Sequence, residues 1–255
     1  MTTGKLAGRR AIVTGAGNGI GRAIALAFAA EAADVLCADI AVDDAERVAA
    51  EINDAGGGRA AAQLCDVADS VSAQQAVTAA VDAFGGLDTV VCNAAVFSPI
   101  TTIADMTEHD WRQALNVNLT GAFHICKYAI PHLRAAGGGG IILMASQMAR
   151  VANAGQAAYC TTKGALVQLA KGMALDHAED NIRVNTLSPG GVATGRLAKR
   201  FGDLDAAERI WGPKHPMGRL GQPDEIARGA VFLASDDASF MTGADLLLDG
   251  GYTAW

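Results

Sequence analysis

Short apolar runs rich in β-branched residues alternate along the chain with longer, Ala-rich stretches of helical period. The runs fall at 10–14, 34–38, 60–65, 89–92, 141–145, 183–187 and 244–248. They are continuously apolar and do not alternate, as strands are when helices cover both faces of their sheet. Helical spacing fills 20–31, 43–55, 70–84, 107–134, 155–179 and 223–234. Repeated strand–helix units of this kind predict an α/β fold: a doubly wound parallel sheet of seven strands with helices on both faces and right-handed crossovers.

Punctuation supports the division. Glycine runs at 56–58 and 137–140 stop helices just before strands, where Gly tolerates the left-handed cap conformation. Thr107 with Asp110 three residues on resembles a weak capping box, and Pro223 suits a first helical turn. Pro131 is expected to kink or end the helix before it. With no linker, charge block or repeat, residues 1–255 are expected to form one domain carrying an insertion-like polar stretch at 195–216. The first residues lack the apolar core of a signal peptide, and no apolar run approaches the ~20 residues of a membrane span. The expectation is a soluble, cytoplasmic protein that neither enters nor binds membranes.

Composition narrows the function. Hydrophobic residues at 51% against 18% charged residues argue for a packed core over disorder. A net charge of −7 without a basic block disfavours nucleic acid as a partner. The five cysteines are odd in number and contain no CxxC, and the five histidines form no HExxH, so neither a disulfide scaffold nor a metal site is expected. Cys37, Cys65 and Cys92 stand inside apolar runs, where a thiol acts as a small buried hydrophobe.

The first strand runs into Gly15-Ala-Gly-Asn18-Gly19-Ile20-Gly21 and then an Ala-rich helix. Such glycines let main-chain N–H groups at a helix N-terminus approach a diphosphate, although the literal GxGxxG spacing is absent. The second strand is followed by Asp39, 24 residues after Gly15. A carboxylate there can accept hydrogen bonds from an adenosine ribose and repels a 2′-phosphate. Neither residues 16–18 nor Ile40 supplies a compensating cation. These residues favour NAD(H) as the cofactor over NADP(H).

Tyr159 and Lys163 are four apart and share a helix face, Ser146 ends the fifth strand thirteen residues before the Tyr, and Asn118 sits in an Asn-Val-Asn-Leu-Thr-Gly run. A phenol titrates near pH 10. An ammonium, together with an oxidised nicotinamide, would bring it toward neutral pH, where it can take the proton of an alcohol while the carbon gives up hydride.

These motifs together make the chain resemble a short-chain dehydrogenase/reductase of the single-domain, Rossmann-type kind. The resemblance runs over nearly the whole length: 14–21, Asp66-Val67, Asn93-Ala-Ala95, Asn118, Ser146, Tyr159 with Lys163, Pro189-Gly190 with Thr194, and 232–251. It implies Tyr159 as general acid/base and Ser146 orienting the substrate oxygen. It implies Lys163 lowering the Tyr pKa and binding the nicotinamide ribose, and Asn118 holding a relay water. Gly15, Asn18, Gly19, Ile20 and Gly21 would face the diphosphate, Asp39 the ribose, and Asp66 and Val67 the adenine. Asn93 would buttress the sheet centre, with Pro189, Gly190, Val192 and Thr194 beside the nicotinamide. Two positions depart from the family pattern: Ala95 replaces a usual Gly, for which backbone strain or repacking is expected, and Cys160 follows the Tyr where Ser is common.

The family's substrate loop would be 191–216, which carries Trp211, Lys214 and His215. Val96, Met148 and Gln147 are further candidate pocket walls. A mixed lining suits a small polyol, sugar-derived or cyclic secondary alcohol. A 3-oxoacyl-(acyl-carrier-protein) reductase is the rival enzyme, for which Arg134, Arg150, Lys199 and Arg200 would supply a docking patch. A catalytically idle NAD-binding sensor or scaffold is the rival of another class. The resemblance also implies a homotetramer built through the two long helices and the C-terminal end.

Overall fold

The computed structural model describes residues 4–254. Seven parallel strands form one sheet in the order β3-β2-β1-β4-β5-β6-β7. They are β1 (Arg10–Thr14), β2 (Asp34–Asp39), β3 (Ala60–Leu64), β4 (Thr89–Cys92), β5 (Gly139–Met144), β6 (Ile182–Pro189) and β7 (Asp245–Leu248). The predicted doubly wound, Rossmann-type α/β class is the observed one. Chain direction across the sheet reverses between β1 and β4, so a crevice opens at the C-terminal ends of these two strands.

Period-two alternation within the strands feeds two cores. Val13, Val35, Ile142 and Leu187 face one side, where helices α1 (Gly19–Ala30), α2 (Val42–Ala55) and α9 (Pro223–Ala234) pack through Phe28, Ile52 and Leu233. Ile12, Leu36, Val90 and Leu143 face the other, against α3 (Ser70–Phe84), α5 (Gly121–Ala135) and α6 (Ala157–Asp176) through Val77, Ile125 and Leu166. The outer strands depart from the expectation of full cover. Every residue of β7 is only half-buried, and Leu64 at the end of β3 is 50% exposed, because each edge strand has a neighbour on one side only.

Three local expectations are corrected. The helix read at 107–134 is two, α4 (Glu108–Leu115) and α5, joined by a π turn over Asn116–Thr120. Hydropathy period cannot register one extra residue in a turn. Of the two outcomes expected at Pro131, a kink or an end, the end is excluded, because α5 continues to Ala135. Gly139 and Gly140 lie inside β5, pairing with Ile182 and Arg183, so the strand starts two residues early. The caps fare better. Gly56 follows α2 at φ 72°, and Pro223 opens α9. Thr107 Oγ1 accepts from the Asp110 N–H (3.0 Å), but its hydroxyl donates to the Asp110 carboxylate (2.6 Å), so the reciprocal bond to backbone is missing from the box. Among the described residues no helix is long and apolar enough to cross a membrane.

Candidate active site

A cleft of about 830 Å³ opens at the switch point. Its first end is built by the turn after β1, which reverses at Gly15 (φ 64°) and again at Gly19 (φ 55°), where α1 begins. Asn93, just past β4, clamps this turn: Nδ2 donates to the Thr14 and Gly15 carbonyls (2.9 and 3.1 Å), and its N–H to Thr14 Oγ1 (3.0 Å). Asp39 collars it from β2, accepting from the N–H of Gly17 (2.8 Å) through Oδ2 and of Ala41 (3.0 Å) through Oδ1. A carboxylate has about four lone-pair sites, so acceptor capacity is left over. Asn18 makes no side-chain cap and α1 has no acidic residue in its first turn. The positive helix end and its first N–H groups therefore stay available to an anion. These residues fit a dinucleotide diphosphate, with the ribose at Asp39 and the base near Asp66 and Val67, which line the same end. Across the cleft the end of β6 brings Pro189 and the loop after it Gly190, Val192 and Thr194; a Cβ on Gly19 would stand 3.4 Å from the Thr194 methyl.

The other end holds the candidate chemistry. Ser146 follows β5 and its Oγ accepts from the Met148 N–H (3.1 Å). Tyr159 lies in the first turn of α6, half-buried, with its ring 4.9 Å from that of Phe97. Lys163 is one turn on and buried; its Nζ donates to the Met144 carbonyl (2.6 Å) and stands 5.7 Å from the centre of the Tyr159 ring. Burial pushes the phenol above its ordinary value, against the opposing pull of Ser146 and the charges of Arg196 and Arg200. Burial, and then the charge of Arg196, brings Lys163 down to about 7. The expected lowering of Tyr159 is therefore not a property of these protein groups alone. Desolvation disfavours the charged form of each partner, phenolate and ammonium alike.

Every predicted site residue lines this cleft except Asn118. Asn118 sits in the π turn, buried, with both amide atoms engaged: Oδ1 accepts from the Val96 N–H (2.7 Å), and Nδ2 donates to the Val96 carbonyl (3.0 Å) and Thr162 Oγ1 (3.3 Å). Its side chain braces the wall that carries Val96, and after these bonds one lone pair of Oδ1 is the acceptor capacity it has left. Ala95 carries no strain, since Ala32 and Asn181 are the non-glycine residues at positive φ among those described.

The stretch 191–216 is more ordered than its sequence suggested. It folds into helices α7 (Gly195–Phe201) and α8 (Leu204–Trp211), with Leu197 and Ala207 packed on Leu220 and flanked by Phe201 and Trp211. The Leu197–Phe201 spacing was the readable signal. Trp211 stacks on Tyr252 at 6.1 Å, and Lys214 Nζ lies 4.1 Å above its ring. His215 is buried: Nε2 accepts from the Gly191 N–H (3.0 Å), so Nδ1 carries the proton and donates to the Trp211 carbonyl (3.0 Å). That ring ties the end of the stretch to its start just past β6. Sequence reasoning did not place it, and no spacing would have. Phe97, Gln156 and Arg196 were missed as cleft residues for the same reason. Arg196 reaches over the cleft, its Nη2 donating to the Ala95 carbonyl (2.6 Å) and its guanidinium 5.3 Å from the Phe97 ring centre.

The remaining candidates resolve simply. Cys37, Cys65, Cys92 and Cys126 are buried, and burial pushes Cys37 and Cys65 up to about 12, which leaves them unreactive thiols. Cys160 is half-buried and free. Of the four cations read as a docking patch, Arg134 pairs with Asp180 (2.8 Å), Arg150 pairs with Asp245 (2.9 Å), and Arg200 turns into the cleft.

A glycine loop, a strand-end carboxylate and a Ser, Tyr and Lys set in one crevice define a nucleotide-dependent oxidoreductase. The family model described as Enoyl-(Acyl carrier protein) reductase matches residues 15–253. Cyclohexanol dehydrogenase of Acinetobacter sp. (strain SE19) is 36% identical over 254 residues, covering 100% of this chain and 98% of its own. D-threitol dehydrogenase of Mycolicibacterium smegmatis is 41% identical over 253 residues, covering 98% and 94%. The crystal structure of a short-chain type dehydrogenase/reductase from Mycobacterium marinum superposes with a TM-score of 0.91 at 37% identity over 98% of this chain and 97% of that one. The chain belongs to the short-chain dehydrogenase/reductase family.

Proposed function

We propose that this protein oxidises a small secondary alcohol, cyclic or polyol, to its ketone with NAD, and runs the reverse reduction by the same groups. The observation that carries the reading is the placement of Tyr159, Lys163 and Ser146 in the same cleft as a glycine loop collared by Asp39. A bound nicotinamide would supply the acceptor for the hydride leaving the carbinol carbon. Ser146 holds the substrate oxygen. Tyr159 as phenolate takes the hydroxyl proton as the C=O bond forms, and Lys163 as ammonium stabilises that phenolate and holds the nicotinamide ribose. Asn118 acts as a positioning residue through Val96 and Thr162. Two of the relatives are named for a cyclic alcohol and for a polyol, in keeping with the proposed substrate class. Phe123, Leu175, Phe232 and Phe240 present apolar surface that suits assembly as a homotetramer, which light scattering tests.

Steady-state kinetics with cyclohexanol, 2,3-butanediol and threitol, each with NAD and with NADP, test the reading. NAD is expected to lead in kcat/KM by about 100-fold or more, since a 2′-phosphate would meet the Asp39 carboxylate and each 1.4 kcal/mol of repulsion is tenfold. Asp39→Ala should raise the KM for NAD and shrink the preference below about tenfold, as both the ribose acceptor and the bonds from Gly17 and Ala41 are lost. A wild-type preference for NADPH would overturn the cofactor assignment, and oxidation of none of the alcohols the substrate class.

A further inference from the structure

The catalytic end of the cleft is cationic in a chain of net charge −7. Lys163, Arg196 and Arg200 all line it, and the two carboxylates that line the cleft, Asp39 and Asp66, stand at the nucleotide end. Among the described residues neither Arg196 nor Arg200 has a carboxylate partner, as Arg9, Arg10, Arg22, Arg59, Arg134 and Arg150 do; Arg183, Arg209 and Arg228 also lack one but do not line the cleft. Arg196 is occupied as a strap to Ala95. Arg200, one helical turn on, is different.

With the Gln156 amide turned so that its oxygen faces the guanidinium, Arg200 Nη1 and Nη2 lie 2.7 and 2.9 Å from that oxygen. Gln156 is itself 6% exposed and lines the cleft. The guanidinium stands 5.4 Å from the Phe201 ring centre and 5.8 Å from that of Trp211, so aromatic surface fixes its orientation. A guanidinium has five donors, and a neutral amide oxygen engages two of them without cancelling any charge. Half-buried between rings, Arg200 is a preorganised fork that lacks its natural partner. Its charge reaches the reacting centre, because it is among the groups that pull on the Tyr159 phenol.

We propose that Arg200 determines specificity by binding an anionic group, a carboxylate, on the substrate: the preferred substrate is a hydroxy acid, its carboxylate on Arg200 beside Gln156 and its carbinol at Tyr159 and Ser146. This rests on the alcohol-dehydrogenase reading above and deepens it. The charge logic is self-consistent, since an oxidised nicotinamide adds another positive charge to an end that already holds two guanidinium groups. A carboxylate offsets that charge where a neutral alcohol leaves it standing.

The test pairs cyclohexanol with its 3- and 4-carboxylates as substrates for the wild type, Arg200→Gln and Arg200→Lys. The wild type is expected to favour at least one carboxylate over cyclohexanol in kcat/KM by about 10- to 100-fold, the range of a charge-assisted bidentate bond. Arg200→Gln should erase that preference, read as the ratio of the two substrates' kcat/KM so that any effect of the lost charge on the Tyr159 phenol cancels between them, while leaving the KM for NAD within about twofold, and Arg200→Lys should restore it in part. A second measurement does not depend on turnover. Calorimetric binding of cyclohexanecarboxylate, which has no carbinol, to the NAD-loaded enzyme should be lost in Arg200→Gln. A wild type that oxidises cyclohexanol as well as its carboxylates, or a glutamine variant whose defect lies in the KM for NAD, overturns the assignment of Arg200 and leaves the alcohol-dehydrogenase reading intact. Absence of all alcohol oxidation together with Arg200-dependent carboxylate binding would do the opposite.

Discussion

Tyr159→Phe is expected to lower kcat for alcohol oxidation by about 10³-fold, within the span attributed to a positioned general acid/base, while NADH binding by fluorescence titration stays within about twofold. The substitution removes one oxygen and keeps the ring that packs at 4.9 Å on Phe97, so the fold and the nucleotide end have no reason to change. The sign of the pH dependence follows from the site. Burial raises the phenol, so at neutral pH only a small fraction is phenolate, the form that takes the alcohol's proton. Oxidation should therefore climb with pH, about tenfold per unit below the effective titration. Ketone reduction needs the protonated phenol and should hold level at low pH, then fall as pH rises through the same range. Lys163 is brought to about 7 by burial and the charge of Arg196, so its ammonium form is lost over a lower range than the one in which the phenol ionises. The phenylalanine variant should lose both limbs. A variant that keeps its turnover and its pH limbs would remove Tyr159 from the chemistry.

How much of this was legible beforehand follows the range of the interactions involved. The seven strands announced themselves because parallel strands covered on both faces must be continuously apolar, and β1, β4 and β5 are entirely so where they pass through the two cores. Gly15, Asp39, Ser146, Tyr159 and Lys163 were found because each sits at a fixed place on an element, at a strand end or one helical turn from its partner, and so leaves a spacing in the sequence. What escaped is set by contacts between elements far apart in the chain. Asn118 is engaged by Val96, 22 residues away, Arg196 by Ala95, 101 residues away, and Gly191 by His215, 24 residues on. The helices α7 and α8 are seven and eight residues long, too short for periodicity to register, and their apolar contact is a three-residue cluster of their own. That the protein groups alone raise the Tyr159 titration was unreadable for a related reason: proximity of an ammonium is readable from spacing, but depth of burial is not.

Gly21→Ala should be among the most damaging single methyl groups that can be added to this chain. The Cβ would lie well inside contact distance of the Gly15 carbonyl oxygen and 2.5 Å from Asn93 Nδ2. Neither can retreat cheaply. The Gly15 carbonyl accepts from Asn93 (3.1 Å), whose other bond holds the Thr14 carbonyl at 2.9 Å, so displacing either atom unclamps the turn from the two strands that flank the crevice. Overpacking of this kind costs about 1–3 kcal/mol, and the lost clamp adds about 1–3 kcal/mol for each buried group left without a partner. The expected outcome is a melting temperature lower by about 5–15 °C, given some 2–4 °C per kcal/mol for a chain of this size. NADH binding should fall by more than about 100-fold, since the first N–H groups of α1 are displaced along with the loop. Gly172→Ala supplies the opposite case on the same chemistry. That glycine is inside α6 with nothing within 4 Å of the place its new methyl would take, so the change should stabilise the helix by about 0.5–1 kcal/mol and leave NADH binding as it was. If both variants melt and bind alike, the packed glycine turn does not hold the nucleotide end in place, and the diphosphate must be sought elsewhere in the cleft.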